Sequence, residues 1–460
     1  MAKQKIILII GILFFILITA WYVAGCFPLK KCPGSKPGAG SEPKIVILKF
    51  VGPFDTKENW AGIAERFNKF KMQENNGFLN VIIQYEMISD QINYENNVRE
   101  MQFEGDGPNI FMMFNSWVSR PAYQEKLLPM PKEMMAVLQF ENTFVNVAIE
   151  DLVLPDLETS EKRIYALPFY IDTPALYYNT DRFANEGLIK APETWEEFKN
   201  YVEKLTIRDE NGNIEKAGAA FGGGENVNRS QDIIILLTMQ NNFRQNVTEN
   251  LTSLNNPQGI AAVKFYTDFA DPAKRFYTWN EDQMYSIDAF AQRKAAMMIN
   301  YSHHINNIIS KTGGTLDFKI APIPQLDKNY KVNYASYWVP VVPKIAPCRS
   351  ADPKVNCYDL AWEFLNFAAK KENAKLYLDS TERAAANLEL AKEQSSNYAD
   401  IRSVFADQVF TAKSWEHPYD KESDKALLEM IDSIITKDET KKQTLTEAII
   451  EAKKKVKSLN

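Results

Sequence analysis

The sequence predicts an α/β protein of two to three domains or lobes, with sheets covered by helices. Three observations lead there. At 460 residues the chain is too long for one comfortable core, domains running to roughly 100–200 residues each. Short β-rich runs alternate with stretches of helical period, the pattern of sheets flanked by helices. The composition, 45% hydrophobic and 24% charged, is that of an ordinary globular protein and not of a disordered chain.

The first 26 residues, MAKQKIILIIGILFFILITAWYVAGC, open with two lysines and continue as an apolar run from Ile6 to Gly25. Such a run inserts into a membrane during export, and its length is about that needed to span a bilayer as a helix. Two readings stand side by side: a retained transmembrane anchor, or a signal peptide whose end, Val23-Ala24-Gly25-Cys26, resembles the lipobox of bacterial lipoproteins and makes Cys26 the lipidated N-terminus. Both put the body outside the cytoplasm, on the cell surface or in the periplasm. Residues 27–43, FPLKKCPGSKPGAGSEP, are rich in Pro, Gly and Ser and read as a flexible tether with an end-to-end distance of roughly 23 Å. The formal charge of −6, about −8 once Lys3 and Lys5 are set aside, argues against nucleic acid as a partner.

Folding proper begins with the strand KIVILKF at Lys44. In the next segment Trp60, Ile63, Ala64, Phe67 and Phe70 recur at helical spacing behind a capping-box pattern at Asp55 and Glu58. A strand is predicted from Asn80, a polar helix over Gln91–Met101, and a strand, NIFMMF, from Asn109. In TWEEFKNYVEKL, Thr194 caps and Glu197 completes the box, leaving Trp195, Phe198, Val202 and Leu205 as the buried stripe. Three further helices follow late in the chain, the last with a basic end that suits the helix dipole. Its final KKKVKSL is a solvated face.

Of the four cysteines, Cys348 and Cys357 close a short loop and are expected to form a disulfide in an oxidising compartment, two unpaired thiols being the alternative. Cys32 has no evident partner. No zinc or other metal site is expected, because there is no CxxC and the three histidines form no spaced ligand set. No cofactor is expected.

Several segments, in order, resemble the extracellular solute-binding proteins of ABC importers, the sugar-binding class that includes maltose-binding protein. They are GDGPNIFMMFNSWVSRPAYQEKLLPMP, then YALPFYIDTPALYYNTDRFANEGLIKAPETWEEFKNYVEKLT, FAQRKAAMMINYSHHINN, FKIAPIPQ, YWVPVVPK and DLAWEFLNFAA. The second is the most specific, with its Leu-Pro-aromatic entry, Tyr-Tyr-Asn-x-Asp turn and capped helix. The resemblance implies a two-lobed periplasmic-binding-protein-like (type II) fold with a hinge of two to three crossing segments and the ligand held between the lobes. On that basis lobe 1 takes 44–166 and 339–380, and lobe 2 takes 167–338 and 381–460.

Within this frame, sugars want rings for their C–H faces and a few donors and acceptors for their hydroxyls. Trp117 follows a strand end, where open α/β sheets bind ligands, with Ser116 beside it as a weaker polar candidate. Tyr170, Asp172 and Thr173 lie near the first predicted crossing, whereas Leu167, Leu176 and one of Tyr177 and Tyr178 are expected in the core. Tyr337 and Trp338 lie at another crossing, and Trp415 is a further ring. Asp55 reads equally as an N-cap or a ligand acceptor. One departure stands out: where relatives place Gly and Trp after the Met-rich strand, this chain has Tyr301, Ser302, His303 and His304, so Tyr301 or His303 would supply the ring. FGGGENVNRS, 221–230, lacks the Gly-Lys-Ser/Thr ending of a phosphate loop and is expected to be a flexible edge of the cleft.

The function these readings imply is capture of a small hydrophilic solute, a sugar or oligosaccharide, by a monomeric surface-anchored receptor that serves the membrane subunits of an ABC importer, with no catalytic residues. A secreted glycan hydrolase would instead need two facing carboxylates about 5–9 Å apart, and Asp172 has no evident mate. A tethered adhesion protein on the same fold is the other alternative.

Overall fold

The computed structural model describes residues 43–90, 93–242, 254–415 and 420–457. The N-terminal apolar run, the tether, Cys26 and Cys32 lie outside these residues, as does His417. Among the described residues no helix is long and apolar enough to cross a membrane.

The first sheet is built on β1 (Lys44–Gly52), which alternates cleanly: Val46, Leu48 and Phe50 are fully buried. Helix α1 (Lys57–Glu74) packs on that face through Trp60, Ile63 and Phe67, the ring of Trp60 lying 4.8 Å from that of Phe50. Its N-cap is Thr56, whose N–H donates to Asn59 at 2.8 Å, and not Asp55 as the sequence pattern suggested. Asp55 is drawn inward instead, to the buried hydroxyl of Tyr377 and to Arg383. Strand β2 (Leu79–Met87) runs parallel to β1 along its whole length. After α2 (Tyr94–Phe103) comes β3 (Ile110–Phe114), parallel to β1 on its other side.

The second sheet has three antiparallel strands: β4 (Ala175–Asn179) in the centre, flanked by β5 (Met297–Asn300) and β6 (Phe318–Ala321). Leu167, Leu176 and Tyr177 are fully buried and Tyr178 half-buried. Helix α3 (Trp195–Leu205) carries the expected cap, with Thr194 Oγ accepting from the Glu197 N–H at 3.2 Å. Its stripe of Trp195, Phe198, Val202 and Leu205 is buried. Helix α4 (Ser230–Asn242) and, after β5, helix α5 (His304–Thr312) complete the elements that matter here.

The chain then returns through β7 (Asn333–Tyr334) to β8 (Trp338–Val341), which pairs antiparallel with β3 and so rejoins the first sheet. Strand β9 (Arg349–Ser350) pairs with β1. Cys348 is disulfide-bonded to Cys357, with Cα atoms 5.4 Å apart. Helices α6 (Cys357–Ala368) and α7 (Lys371–Thr381) pack against α1. The remaining α8 (Leu388–Ser395), α9 (Ser403–Gln408), α10 (Asp420–Ile435) and α11 (Leu445–Lys457) follow, with α10 and α11 packing on the helices of the second sheet.

Three segments link the sheets and lie side by side. Ile171 N–H donates to Ala384 O at 3.0 Å, Ala386 N–H to Phe169 O at 3.1 Å, and Ser336 N–H to Asp172 O at 3.0 Å. Backbone bonding of this kind satisfies the polar groups of buried crossings and fixes their mutual register.

The 221–230 loop is not the flexible edge expected from its glycines. Gly222, Gly223 and Gly224 are buried. Tyr266 hydroxyl donates to Gly223 O at 2.8 Å, Trp279 Nε1 donates to Asn226 Oδ1 at 3.0 Å, and Asp432 accepts from the Glu225 N–H. A Cβ on Gly224 would stand 2.1 Å from the Asp432 carboxylate, so glycine here serves close packing.

Candidate functional site

Because β1 and β3 are parallel and β8 runs against them, the C-terminal ends of the first two meet the start of the third. That edge of an open sheet is where such folds bind ligands. Aromatic residues gather there: Phe54 just beyond β1, Phe114 at the end of β3, Trp117 in the following turn, and Trp338 opening β8 directly opposite Phe114. All four are half-buried. Trp338 is the hub, its ring 5.7 Å from Phe54, 5.7 Å from Phe114, 5.6 Å from Trp117 and 5.5 Å from Tyr94, each in edge-to-face geometry. Tyr123 stacks on Trp117 at 5.8 Å, and the Arg120 guanidinium lies over both rings. These contacts lock the rings as a wall, as the quadrupoles of aromatic groups favour.

Polar groups continue this surface at the crossings. Arg383, on the third crossing, pairs with buried Asp55 at 3.0 Å, and Tyr377 hydroxyl donates to the other Asp55 oxygen at 2.8 Å. The guanidinium of Arg383 sits 4.2 Å from the ring centre of Tyr170 and 5.0 Å from that of Phe54, so it joins the aromatic wall to the hinge. Asp172, on the first crossing, has no hydrogen-bond partner for its carboxylate among the described residues. Burial pushes its pKa up to about 6, with Arg383 opposing the shift and Asp55 adding to it.

The second sheet contributes the segment after β5. Tyr301 hydroxyl donates to Asp232 at 2.6 Å, and the His303 ring lies parallel to that of Tyr301 with centroids 5.9 Å apart. His303 is exposed at the mouth of this region, yet protein encloses the imidazole enough that desolvation, His304 and two guanidinium cations hold its pKa down at about 3. His304 is likewise lowered to about 4 by burial and by Arg229. Both rings are therefore neutral at physiological pH and offer donors and acceptors without charge.

Of the residues singled out from sequence, the structure brings Trp117, Trp338, Asp172 and His303 to partly open positions around the crossings. Others are spent on packing. Thr173 is buried and accepts from Gln408 at 3.0 Å. Tyr337 is fully buried and donates to Asp151 at 2.6 Å. Tyr170 is buried, with its hydroxyl accepting from the Trp338 N–H at 3.4 Å. Tyr301, Ser116 and Trp415 are buried as well. All six are buried and turned into the protein, away from the half-exposed rings. Phe54, Phe114, Arg229 and Arg383 are absent from the sequence-based candidates. The two phenylalanines carry the same signal as Trp117, a ring just at or past a strand end, whereas Arg383 lies 328 residues from its partner Asp55 and nothing local marks it.

Behind the crossings lies a cavity of about 340 Å³, lined by Ser302, Arg383 and Arg402 together with residues of α7, α8 and α9. It shares Arg383 with the ring cluster and holds the Arg402–Glu382 ion pair.

Residues 93–375 match the family model described as bacterial extracellular solute-binding protein. Among solved structures, the chain is similar to an ABC transporter solute-binding protein of Thermotoga lettingae bound with α-D-tagatose, at 19% identity and a TM-score of 0.62, covering 91% of this chain and 100% of that one. It is similar to the sugar-binding protein MalE of Xanthomonas citri at 13% identity and a TM-score of 0.67, covering 90% and 97%. A third is UgpB of Mycobacterium tuberculosis in complex with glycerophosphocholine, at 16% identity and a TM-score of 0.64, covering 92% and 98%.

Proposed function

Because the chain belongs to the family of bacterial extracellular solute-binding proteins, with their two-lobed type II fold, we propose that it captures a sugar or short oligosaccharide between its lobes and passes it to the membrane subunits of an ABC importer. The observation that carries this reading is the meeting of a half-exposed aromatic wall, Phe54, Phe114, Trp117 and Trp338, with Asp172, a carboxylate that accepts no hydrogen bond among the described residues. Rings take the C–H faces of a pyranose and the carboxylate takes its hydroxyl protons.

The charges favour a neutral guest. Arg383 is matched by Asp55 and Arg229 by Asp232, and both histidines are neutral, so no cationic excess awaits an anion. Asp55 is held by Arg383 and Tyr377, which leaves it unsuited to act with Asp172 as the acid–base pair of a glycan hydrolase.

Lobe 1 takes 44–166 and 339–380, and lobe 2 takes 167–338 and 381–460, a division supported by the three crossings. A ligand touching both lobes would shift the open and closed populations by its differential affinity for them. The family is extracytoplasmic, and lipidation of Cys26 or retention of the N-terminal apolar run would anchor the body. A thermal-shift screen over neutral sugars, oligosaccharides, amino acids and polyamines tests the reading, since a ligand of the native state alone raises its melting temperature. Stabilisation by sugars and not by the other classes is expected; stabilisation by a non-sugar class alone overturns the assignment.

A further inference from the structure

The 221–230 loop ends in a strained arginine. Arg229 adopts φ +58°, a left-handed conformation disfavoured for any residue with a Cβ and one that persists only where surroundings enforce it. The enforcing contacts are those that clamp Gly223, Glu225 and Asn226, together with the Ser230 hydroxyl donating to Gly224 O at 2.9 Å. Strain of this kind at a positioned side chain points to a use for that side chain.

The side chain is positioned as tightly as its backbone. Asp232, 2% exposed, accepts from Arg229 Nε at 2.7 Å and from the Tyr301 hydroxyl at 2.6 Å, both on the same oxygen. The guanidinium carbon lies 5.8 Å from the Tyr301 ring centre. One edge of the guanidinium is thus fixed by a buried carboxylate. The other edge, Nη1 and Nη2, has no hydrogen-bond partner among the described residues, and the side chain keeps 36% of its exposure. Asp172, His303 and His304 each lie near enough to feel its charge. A planar fork held by its back edge and open at its front is built for two acceptors at fixed spacing.

A carboxylate, a phosphate or two adjacent sugar hydroxyl oxygens can each fit a guanidinium edge. Asp232 is in contact, and Asp424 lies close enough to act on the cation, so the positive charge is already compensated while the N–H donors are not. We propose that Arg229 is a specificity-determining residue whose free guanidinium edge donates to two adjacent hydroxyl oxygens of a neutral sugar, with Asp172 accepting hydroxyl protons of the same ligand. This assignment rests on the sugar-capture reading above.

The test is titration calorimetry of wild type, Arg229→Lys and Arg229→Gln with neutral mono- to trisaccharides, their deoxy analogues and the corresponding uronates, alongside the melting temperature of each variant. Lysine keeps a cation beside Asp232 but loses the fork. Expected is a Kd raised about ten- to hundredfold in Arg229→Lys, the loss typical of charge-assisted hydrogen bonds. Wild type should also discriminate strongly against the sugar lacking one hydroxyl of the pair, while both variants hardly discriminate. A purely structural role would weaken the parent and deoxy sugars alike, and that outcome overturns the assignment. Unchanged affinity in both variants overturns it too while leaving sugar capture standing. A uronate that binds more tightly than its neutral parent, with the gain lost in Arg229→Gln, shows that the fork reads a carboxylate and likewise overturns it. If wild type binds none of these sugars, the assignment and the reading beneath it fall together.

Discussion

The two surfaces that meet at the crossings are made by opposite means. The wall on the first sheet is aromatic and assembled from neighbours: Phe54, Phe114, Trp117 and Trp338 each lie at or beside the end of a strand, and sheet pairing alone brings them together. The polar surface that continues it through the crossings to the second sheet is assembled from strangers. Arg383 reaches Asp55 across 328 positions of sequence and Tyr301 reaches Asp232 across 69. Stacking needs only shape and can be left half in solvent, whereas a charge removed from water must find its counter-charge wherever the fold supplies one. The first surface should therefore tolerate change in stability terms better than the second, while both control binding.

The sharpest way to break that contrast is Asp55→Asn. Asp55 is 2% exposed and the Arg383 side chain 11%, so removing the carboxylate strands a nearly buried cation. A loss of about 3–5 kcal/mol is expected, as for other buried pairs deprived of one partner, read as a lower denaturation midpoint in urea. A loss below about 1 kcal/mol would mean that the polar surface is no more committed than an exposed ion pair. Trp338→Ala comes next. Four rings touch Trp338, but its half-exposure reduces the cost to about 2–3 kcal/mol, beneath the range for fully buried aromatics. Calorimetry should show that sugar binding is lost even where the variant remains folded; retained affinity would remove the aromatic wall from the site.

The same contrast explains what could be read from the amino-acid order. Strand and helix signals are local, so β1, β3, α3 and its Thr194 cap are legible from alternation and capping chemistry. Trp117 and Trp338 are legible for the same reason. Phe54 and Phe114 carry that signal too, but phenylalanine at a strand end is ordinary core material and nothing in the sequence sets these two apart. Facing direction at the crossings is another matter. Tyr170, Thr173 and Tyr337 read as ligand contacts by position, and their hydroxyls turn to Trp338 N–H, Gln408 and Asp151, partners that no local pattern names. Nothing local marks Arg383 or Arg229, because the first meets a counter-charge distant in sequence and the second a backbone conformation that composition does not encode. The glycines of 221–230 misled in the same way: they suggest freedom, whereas at Gly224 the missing side chain admits Asp432.

Asp172→Asn separates the two surfaces by pH. A carboxylate whose pKa is raised by folding, here from an ordinary value near 3.9 to about 6, binds its proton more tightly in the native state. Its ionisation then costs stability. The cost is absent below about pH 4, develops as pH rises toward 6 and is complete above it. The asparagine variant should accordingly be more stable than wild type at pH 7 by on the order of 1–2 kcal/mol, discounted for partial exposure, and no more stable at pH 4. Its sugar affinity should fall at neutral pH even as its melting temperature rises. Trp338→Ala, with nothing to titrate, should run parallel to wild type across that range. Identical pH profiles for Asp172→Asn and wild type would show that this carboxylate is solvated and not poised in the site.

The smallest effect should come from the rear of the hinge. There Arg402 pairs with Glu382 at 2.7 Å, and Asn306 of α5 donates to the same carboxylate, tying the segment that follows α7 to α5 and to the residues before α9. The pair looks like a strut, but its side chains are 28% and 40% exposed, and ion pairs so hydrated contribute about 0.2–1 kcal/mol. Arg402→Ala should lower stability by less than about 1 kcal/mol. Even if all of that energy entered the balance between open and closed lobes, the Kd for sugar would move by less than about fivefold. A shift beyond tenfold, with the cleft residues untouched, would mean that the geometry behind the hinge sets affinity along with the two surfaces in front of it. In that case the division of labour between rings and charges would describe contact alone and not the energetics of capture.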